Sequence, residues 1–278
     1  MRLTRRGRLV VTVMVLSVVA ASAYALTRTS VGTALGVPLA PPCEVTVDGE
    51  TLSWSRTQAM TATTVTGVGL RIGASVNGVA AAVGRALAAD ADEPMGPDAA
   101  REVYRALPDR ADPTGEQVAL ARVLMGVSER ALTCVVGAFA PGDDLPREDP
   151  GGGGLTARAD RLRVEMRAVF GKQILGGFEP RGVETGHIDG SAHYEGRAID
   201  VFFRPVTAEN QRRGWAQAAW AVAHAERLDV ATVIFDRSLW SARRSTSGWR
   251  DYRHPSGRSD NPILMHEDHV HVDVAEGG

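Results

Sequence analysis

The sequence has little excess charge and few cysteines, and each shortage excludes a class of function. Its 278 residues carry a formal net charge of −2. A chain without excess positive charge has no general attraction for nucleic acid, because that attraction depends on neutralising phosphates. The two cysteines, Cys43 and Cys134, are too far apart for a Cys-x-x-Cys motif, so neither thiol redox chemistry nor a cysteine-bound zinc is indicated. We therefore expect no nucleic-acid partner.

Long hydrophobic runs are scarce too, and the one present lies at the N-terminus. Residues 9–27 are uncharged and follow a cluster of arginines, Arg2, Arg5, Arg6 and Arg8. Such a run can cross a bilayer with its basic flank in the cytoplasm. The small residues near its end also suit a signal-peptidase site. The sequence thus predicts a signal anchor or a signal peptide at residues 1–30. The protein is then either a cell-membrane protein with an extracytoplasmic C-terminal domain or a secreted one.

Export changes what the two cysteines can do. Disulfides persist outside the cytoplasm, so Cys43 and Cys134 are predicted to form one. Closing a loop of about 90 residues stabilises a fold by roughly 4 kcal/mol on the chain-entropy argument. The other interpretation, two unpaired buried thiols, remains open at this point.

Composition divides the exported part into two domains. Residues 31–140 begin with a possible hairpin, CEVTVDGETLSWS, and continue as alanine- and valine-rich segments with helical spacing, which predicts a mostly helical extracytoplasmic domain. Residues 141–154 are rich in proline, glycine and charge, as in a flexible linker. Residues 155–278 contain helix-like and strand-like segments together with all seven histidines. We therefore expect the chemistry in this last region.

Two strand-like segments place metal-binding side chains on one face. Alternate residues of a strand share a face, so in HVHVDV the side chains of His269, His271 and Asp273 oppose those of the three valines. In RAIDVFF, Asp200 likewise opposes the apolar residues. Two such strands side by side would bring imidazoles and a carboxylate together. Zinc accepts these ligands, and a catalytic site uses three of them and leaves a fourth position open for water.

The segment SAHYEGRAID contains the spacing Ser-x-His-x-x-Gly-x-Ala-x-Asp, and the later segment HVHVDV contains His-x-His at His269 and His271. Together these motifs resemble the zinc D-alanyl-D-alanine peptidases of the hedgehog/DD-peptidase superfamily, over residues 155–278. The resemblance implies an α+β domain with an antiparallel sheet and flanking helices. It also implies a zinc ion held by His193, Asp200 and His271.

The same resemblance suggests residues that would act beside the zinc. Asp268, three places before the last ligand, matches the general base of several members, and Glu267 is the alternative base. His269, two places before that ligand, matches a histidine that steadies the tetrahedral oxyanion.

The residues that would contact the substrate match the family pattern less well than the predicted metal ligands do. Ser191 corresponds to a hydroxyl that contacts the substrate in relatives. Many peptidase members hold the substrate carboxylate with an arginine well upstream of the first ligand. The nearest upstream candidate here, Arg181, is much closer to His193, which leaves Arg197 and two later arginines, Arg250 and Arg253, as other candidates.

These features lead to one expected function and two alternatives. The expected function is an exported zinc peptidase that cleaves the peptide stems of peptidoglycan, by attack of zinc-activated water. One alternative is a noncatalytic zinc-binding module of the cell envelope that recognises peptide stems or a protein partner. The weaker alternative is metal sequestration or sensing. The histidines outside the motifs are expected to be surface or helix-packing residues: His187, His224, His254 and His266.

Overall fold

The computed structural model describes residues 42–107, 111–127, 132–136, 145–180, 182–257 and 259–278. The predicted signal anchor or signal peptide, residues 1–30, lies outside these ranges. Within them, no helix is both long and apolar enough to span a bilayer. The described residues belong to one compact unit, Pro42–Gly278.

The first half contains the predicted hairpin and a group of helices. Strands β1 (Cys43–Val47) and β2 (Glu50–Trp54) pair antiparallel. Asp48 and Gly49 connect them with φ angles of 50° and 83°, the left-handed pair that a tight hairpin turn requires. The helices that follow are α1 (Arg56–Arg71), α2 (Val76–Ala88), α3 (Pro97–Arg105) and α4 (Gly115–Leu124).

Capping side chains determine where two of these helices begin. The Ser55 hydroxyl accepts a hydrogen bond from the Gln58 backbone, and the Gln58 side chain accepts one from the Ser55 backbone. Thr114 and Gln117 form the same reciprocal pair before α4. These capping boxes satisfy backbone donors that the first helical turn leaves unpaired.

The predicted disulfide is confirmed. Cys43 and Cys134 are bonded, with their Cα atoms 4.0 Å apart. The bond joins β1 to a short strand, β3 (Thr133–Cys134), which pairs antiparallel with β1.

The second half confirms an α+β fold built on an antiparallel sheet. Its helices are α5 (Ala157–Phe170) and α6 (Ala208–Ala223). The sheet has six strands in the order β4-β5-β9-β6-β7-β8. In chain order these are β4 (Leu175–Gly176), β5 (Ala198–Phe202), β6 (Val230–Phe235), β7 (Ser238–Ser241), β8 (Arg250–Asp251) and β9 (His269–Val274).

The two motif strands are neighbours in this sheet, as predicted. β5 and β9 pair antiparallel, and Asp200 lies directly opposite His271. The apolar residues between the polar ones are fully buried: Ile199, Val201, Val270, Val272 and Val274. Helix α5 contacts β5 and β9, and α6 contacts β6 and β9. One face of the sheet therefore joins the core, and the other carries the polar motif residues.

Helices of the first half pack on helices of the second. α1 contacts both α5 and α6. This approach is close at Gly67, where an added Cβ would lie 2.5 Å from a Val169 methyl group. The buried residues of both halves belong to one continuous hydrophobic cluster.

Part of the predicted linker also contacts the second half. The Glu148 carboxylate forms an ion pair with the buried Arg158 and accepts a hydrogen bond from its backbone. The Gly151 backbone donates to the Leu155 carbonyl. The described residues 145–154 are thus held by specific contacts. The division into domains at residues 141–154 stays a prediction.

Candidate metal centre

The three predicted metal ligands lie together. His193 Nε2 is 3.0 Å from His271 Nδ1 and 3.3 Å from Asp200 Oδ1. His271 Nδ1 is 3.2 Å from the same carboxylate oxygen. The three atoms therefore form a nearly equilateral triangle. None of these residues is more than 8% exposed.

The triangle has the dimensions of one face of a metal site. In a tetrahedral zinc site with ligands at about 2.1 Å, two ligand atoms lie about 3.4 Å apart. The observed separations of 3.0, 3.2 and 3.3 Å are slightly shorter, so a small outward movement admits one ion. Two imidazole nitrogens and one carboxylate oxygen suit zinc and several other first-row divalent ions. His193, Asp200 and His271 could therefore hold a metal ion.

Backbone geometry brings His193 to the strands. The segment from Ser191 to Gly196 turns back on itself, and the Arg197 backbone donates to the Ala192 carbonyl. Gly196 has a φ of 65°, and a Cβ there would lie 2.6 Å from the Gly154 carbonyl oxygen. The glycine of the motif is thus required both for the turn and for the close approach of Gly154.

Outer hydrogen bonds orient both histidines. His193 Nδ1 donates to the Gly177 carbonyl at 2.7 Å, which leaves Nε2 facing the other ligands. His271 Nε2 donates to the Asp273 carboxylate at 3.2 Å, which leaves Nδ1 on the site side. Such partners determine the tautomer and ring orientation of metal-binding histidines.

Two buried side chains of the site, Asp200 and His271, have shifted pKa values that favour their charged forms. Burial alone would raise the pKa of Asp200, but hydrogen bonds from His193 and His271 hold it well below its usual range. Burial alone would lower the pKa of His271, but hydrogen bonds to Asp200 and Asp273 raise it to about 10. A metal ion that binds through His271 must therefore compete with a proton for that ring.

His269 also faces the site, and Asp268 orients it. His269 Nδ1 donates to Asp268 Oδ1 at 2.7 Å, and His269 Nε2 lies 3.8 Å from Asp200 Oδ1. The other Asp268 oxygen forms an ion pair with Arg204. Asp268 is not among the residues that line the cavity beside the ligands. It therefore reaches the metal ligands through His269, and its expected role as general base stays a prediction.

Glu267, the alternative base, lies elsewhere. Its carboxylate pairs with Arg237, and it does not line the cavity. This arrangement gives no support to a direct role for Glu267 at the metal ligands.

An open cavity of about 840 Å³ lies over the ligand triangle. This volume is in the range of small-ligand sites. Ser191 and Arg197 both line it, and their predicted role in substrate contacts stays a prediction. Arg197, however, donates to Glu195 and to the Val274 carbonyl. Arg181 lies outside the described residues.

Arg204 supplies a cationic group that the sequence did not single out. It lines the cavity, and its side chain is 50% exposed. Its guanidinium lies 4.2 Å above the Phe202 ring, and its Nε donates to Asp268. Three exposed apolar side chains also line the cavity: Ile188, Ile263 and Leu264.

Two further histidines face the ligands rather than lying on the surface or between helices. The His187 ring stacks on His193 with centroids 4.0 Å apart. The His266 ring lies 4.6 Å from His269 and 5.7 Å from His271. Burial, followed by the nearby His271 and His269, lowers the pKa of His266 to about 2. In the sequence, the one feature that indicates a place for His266 at the site is its position three residues before His269.

The remaining two histidines agree with the expectation. His224 is buried at the end of α6 and stacks on Trp220, with ring centroids 4.3 Å apart. His254 is half-buried at the edge of the cavity, where its Nδ1 contacts the Ser256 hydroxyl at 2.7 Å.

Part of the chain is similar to a known protein family. Residues 151–263 match the family model described as VldE, C-terminal domain. The match covers fewer than half of the 278 residues; it includes His193 and Asp200 and ends before β9. No curated protein and no solved structure matches the chain. The similarity therefore supports the C-terminal region as a domain shared with other proteins, and assigns no activity.

Proposed function

We propose that this protein is an exported zinc peptidase that cleaves the peptide stems of peptidoglycan. The observation that carries the proposal is the buried triangle of His193, Asp200 and His271, which opens onto a cavity large enough for a short peptide. The triangle lies on the motif that resembles zinc D-alanyl-D-alanine peptidases. Export through residues 1–30, with or without a retained membrane anchor, would bring this site to the cell wall.

The residues around the triangle have separate tasks in such a reaction. Zinc, when bound, supplies a Lewis acid and a water of lowered pKa. His269 presents Nε2 to the site and can hold or transfer a proton there. Asp268 acts on His269 Nδ1, where it stabilises one ring orientation and the protonated ring.

The cavity walls suggest how a peptide would lie. Arg204 offers guanidinium N–H groups beside the Phe202 ring, suited to a carboxylate of the substrate. Ile188, Ile263 and Leu264 offer apolar contacts for its side chains. Because Arg204 also orients Asp268, substrate binding and the orientation of His269 are linked through one ion pair.

One observation favours a second candidate, a noncatalytic module that binds peptide stems. Asp268, the residue expected to act as base, is buried and engaged by Arg204 and His269. In that case the metal would have a structural role or would anchor a bound peptide.

Mass analysis of peptidoglycan fragments separates the two candidates. The full-length, zinc-loaded protein is incubated with fragments that carry intact stems. The peptidase proposal predicts products whose masses correspond to hydrolysis of one amide, lost on chelation and restored by zinc. Stems that bind to the zinc-loaded protein and stay intact would establish the binding module instead.

A further inference from the structure

We infer that Arg204 makes the cavity selective for peptides that end in a free carboxylate, so that the amide cleaved is the last one of a stem. This role rests on the proposed function and narrows its substrate class. Arg204 lines the cavity, and its side chain is 50% exposed. A carboxylate is the group that suits it, because the planar guanidinium fork matches the two carboxylate oxygens.

Two contacts hold the guanidinium in one orientation. Its Nε donates to the buried Asp268 carboxylate, and its central carbon lies 4.2 Å from the centre of the Phe202 ring. Within the described part of the chain, Nη1 and Nη2 form no hydrogen bond, and neither nitrogen is buried. A guanidinium that is already oriented loses little further freedom when its terminal nitrogens bind an anion.

The position of Phe202 sets the distance from Arg204 to the metal ligands. Phe202 follows Asp200 by two residues on β5, so the two side chains share a face, and both line the cavity. Because two residues of a strand span about 7 Å, the guanidinium above the Phe202 ring lies about 7 Å along β5 from the Asp200 ligand.

A peptide with one residue beyond the cleaved amide fits this distance. An extended residue spans about 3.5 Å, and the hydrogen bond from its carboxylate to the guanidinium adds about 2.9 Å. A second residue would carry the carboxylate about 3.5 Å too far. A peptide that continues past the first residue would instead place an uncharged amide at Arg204. The amide held at the metal ligands is therefore the last one of the chain.

The test measures the preference for a free carboxylate. The full-length, zinc-loaded protein is titrated by calorimetry with a stem pentapeptide that ends in a free carboxylate, and with the same peptide as its C-terminal carboxamide. We expect the parent to bind the free-carboxylate form about 10- to 100-fold more tightly, the effect of hydrogen bonds between charged groups. If the peptides are cleaved, the ratio of their kcat/KM values replaces the ratio of affinities.

Two variants and a control assign this preference to Arg204. Arg204→Gln should bind the two peptides with similar affinity, because its side chain has no charge. Arg204→Lys keeps a charge beside Asp268 but lacks the planar fork, so its preference should be smaller than that of the parent. Arg213→Gln, at an exposed position of α6 that does not line the cavity, should keep the parent's ratio. Each ratio is measured on one protein sample, so partial misfolding does not change it.

A parent that binds both peptides equally, or binds neither, would overturn this role of Arg204. Parent-like ratios in both Arg204 variants would overturn it as well. If neither peptide is cleaved, but the preference is present in the parent and absent from Arg204→Gln, the proposed peptidase fails and the role of Arg204 stands.

Discussion

At the scale of single residues, Gly177 leaves no room for a side chain beside the metal ligands. It has a φ of 76°, and an added Cβ would overlap the His193 ring and lie 3.1 Å from Asp200. We expect Gly177→Ala to displace His193 and to weaken zinc binding at least about 10-fold, the size seen when the support of a metal ligand is disturbed. Competition with a coloured chelator measures this affinity.

The control for Gly177 separates overlap from backbone strain. Gly73 has a φ of 74° and nothing within 4 Å of an added Cβ. Gly73→Ala therefore imposes the same backbone strain without the overlap. Equal zinc affinity in Gly177→Ala and Gly73→Ala would show that overlap of a side chain at residue 177 with His193 does not affect zinc binding.

The pair formed by Asp268 and His269 gives the second residue-scale prediction. Asp268→Asn removes the charge that orients His269 but leaves the three ligands in place. We expect zinc content to stay near that of the parent while turnover on peptidoglycan stems falls about 10²- to 10⁴-fold, the usual contribution of a positioned acid or base. Metal analysis and product quantification are made on the same sample. If Glu267→Gln loses turnover and Asp268→Asn keeps it, the two carboxylates have exchanged roles.

Sequence spacing was sufficient to predict that His193, Asp200 and His271 lie together, but not which other residues surround them. The motif residues are on regular strands, where the two-residue period determines which side chains share a face. His266 lies in a loop, and its direction depends on hydrogen bonds from the distant turn at Asp236 and Arg237. Arg204 lies outside the motifs, and it enters the cavity because of its contacts with Asp268 and Phe202.

At the scale of elements, the sheet depends on the apolar face beneath the metal ligands. Val272 lies on β9 between His271 and Asp273 and is fully buried. Val272→Thr keeps the shape of the side chain but buries a hydroxyl, so we expect a loss of about 1–3 kcal/mol in the free energy of unfolding. Urea unfolding measures the loss. Val164→Thr makes the same change at a position of α5 that is 51% exposed, and should cost little; equal losses would mean that β9 is not packed as described.

Element types were predictable where the local pattern is strong. The hairpin at residue 43 has alternating residues and an Asp-Gly turn, and the strand at residue 230 has β-branched residues, so each carries its own signal. The pairing of β5 with β9 could be predicted only through the metal motif, since no short-range pattern joins segments so far apart in the sequence.

At the scale of the whole molecule, a buried histidine lies where the two halves meet. His224 follows α6, and its Nε2 is 3.5 Å from the Thr64 hydroxyl on α1. Burial, with a further contribution from Arg227, lowers the pKa of His224 to about 3. In the unfolded chain histidine titrates near about 6.5. Protonation therefore favours the unfolded chain, and stability is lost as pH falls from about 6.5 toward 3.

Replacing His224 should reduce this acid sensitivity. We expect the loss of unfolding free energy between about pH 6.5 and pH 4.5 to be smaller in His224→Gln than in the parent, with the slopes differing by up to about 1.4 kcal/mol per pH unit. Urea unfolding at each pH provides the values. His254→Gln, at a half-buried histidine outside the helices, is the control. Parallel pH profiles for the parent and His224→Gln would contradict the burial of a neutral His224.

The packing of the two halves against each other could not be predicted from the amino-acid composition. The glycine- and proline-rich segment before residue 155 has the composition of a linker, yet Glu148 and Gly151 make contacts that depend on the folded positions of Arg158 and Leu155. The contact of α1 with α5 and α6 similarly depends on small residues such as Gly67, whose role is visible only when its neighbour Val169 is known.

Metal content tests the central claim, a zinc site formed by His193, Asp200 and His271, most directly. The full-length protein is loaded with zinc, freed of excess metal and analysed for zinc per chain, together with His271→Ala and the control His254→Ala, which removes a histidine outside the ligand triangle. The account predicts one tightly held zinc in the parent and in His254→Ala, and its loss from His271→Ala. A parent that retains no zinc, or a His271→Ala variant that retains as much as the parent, would contradict it.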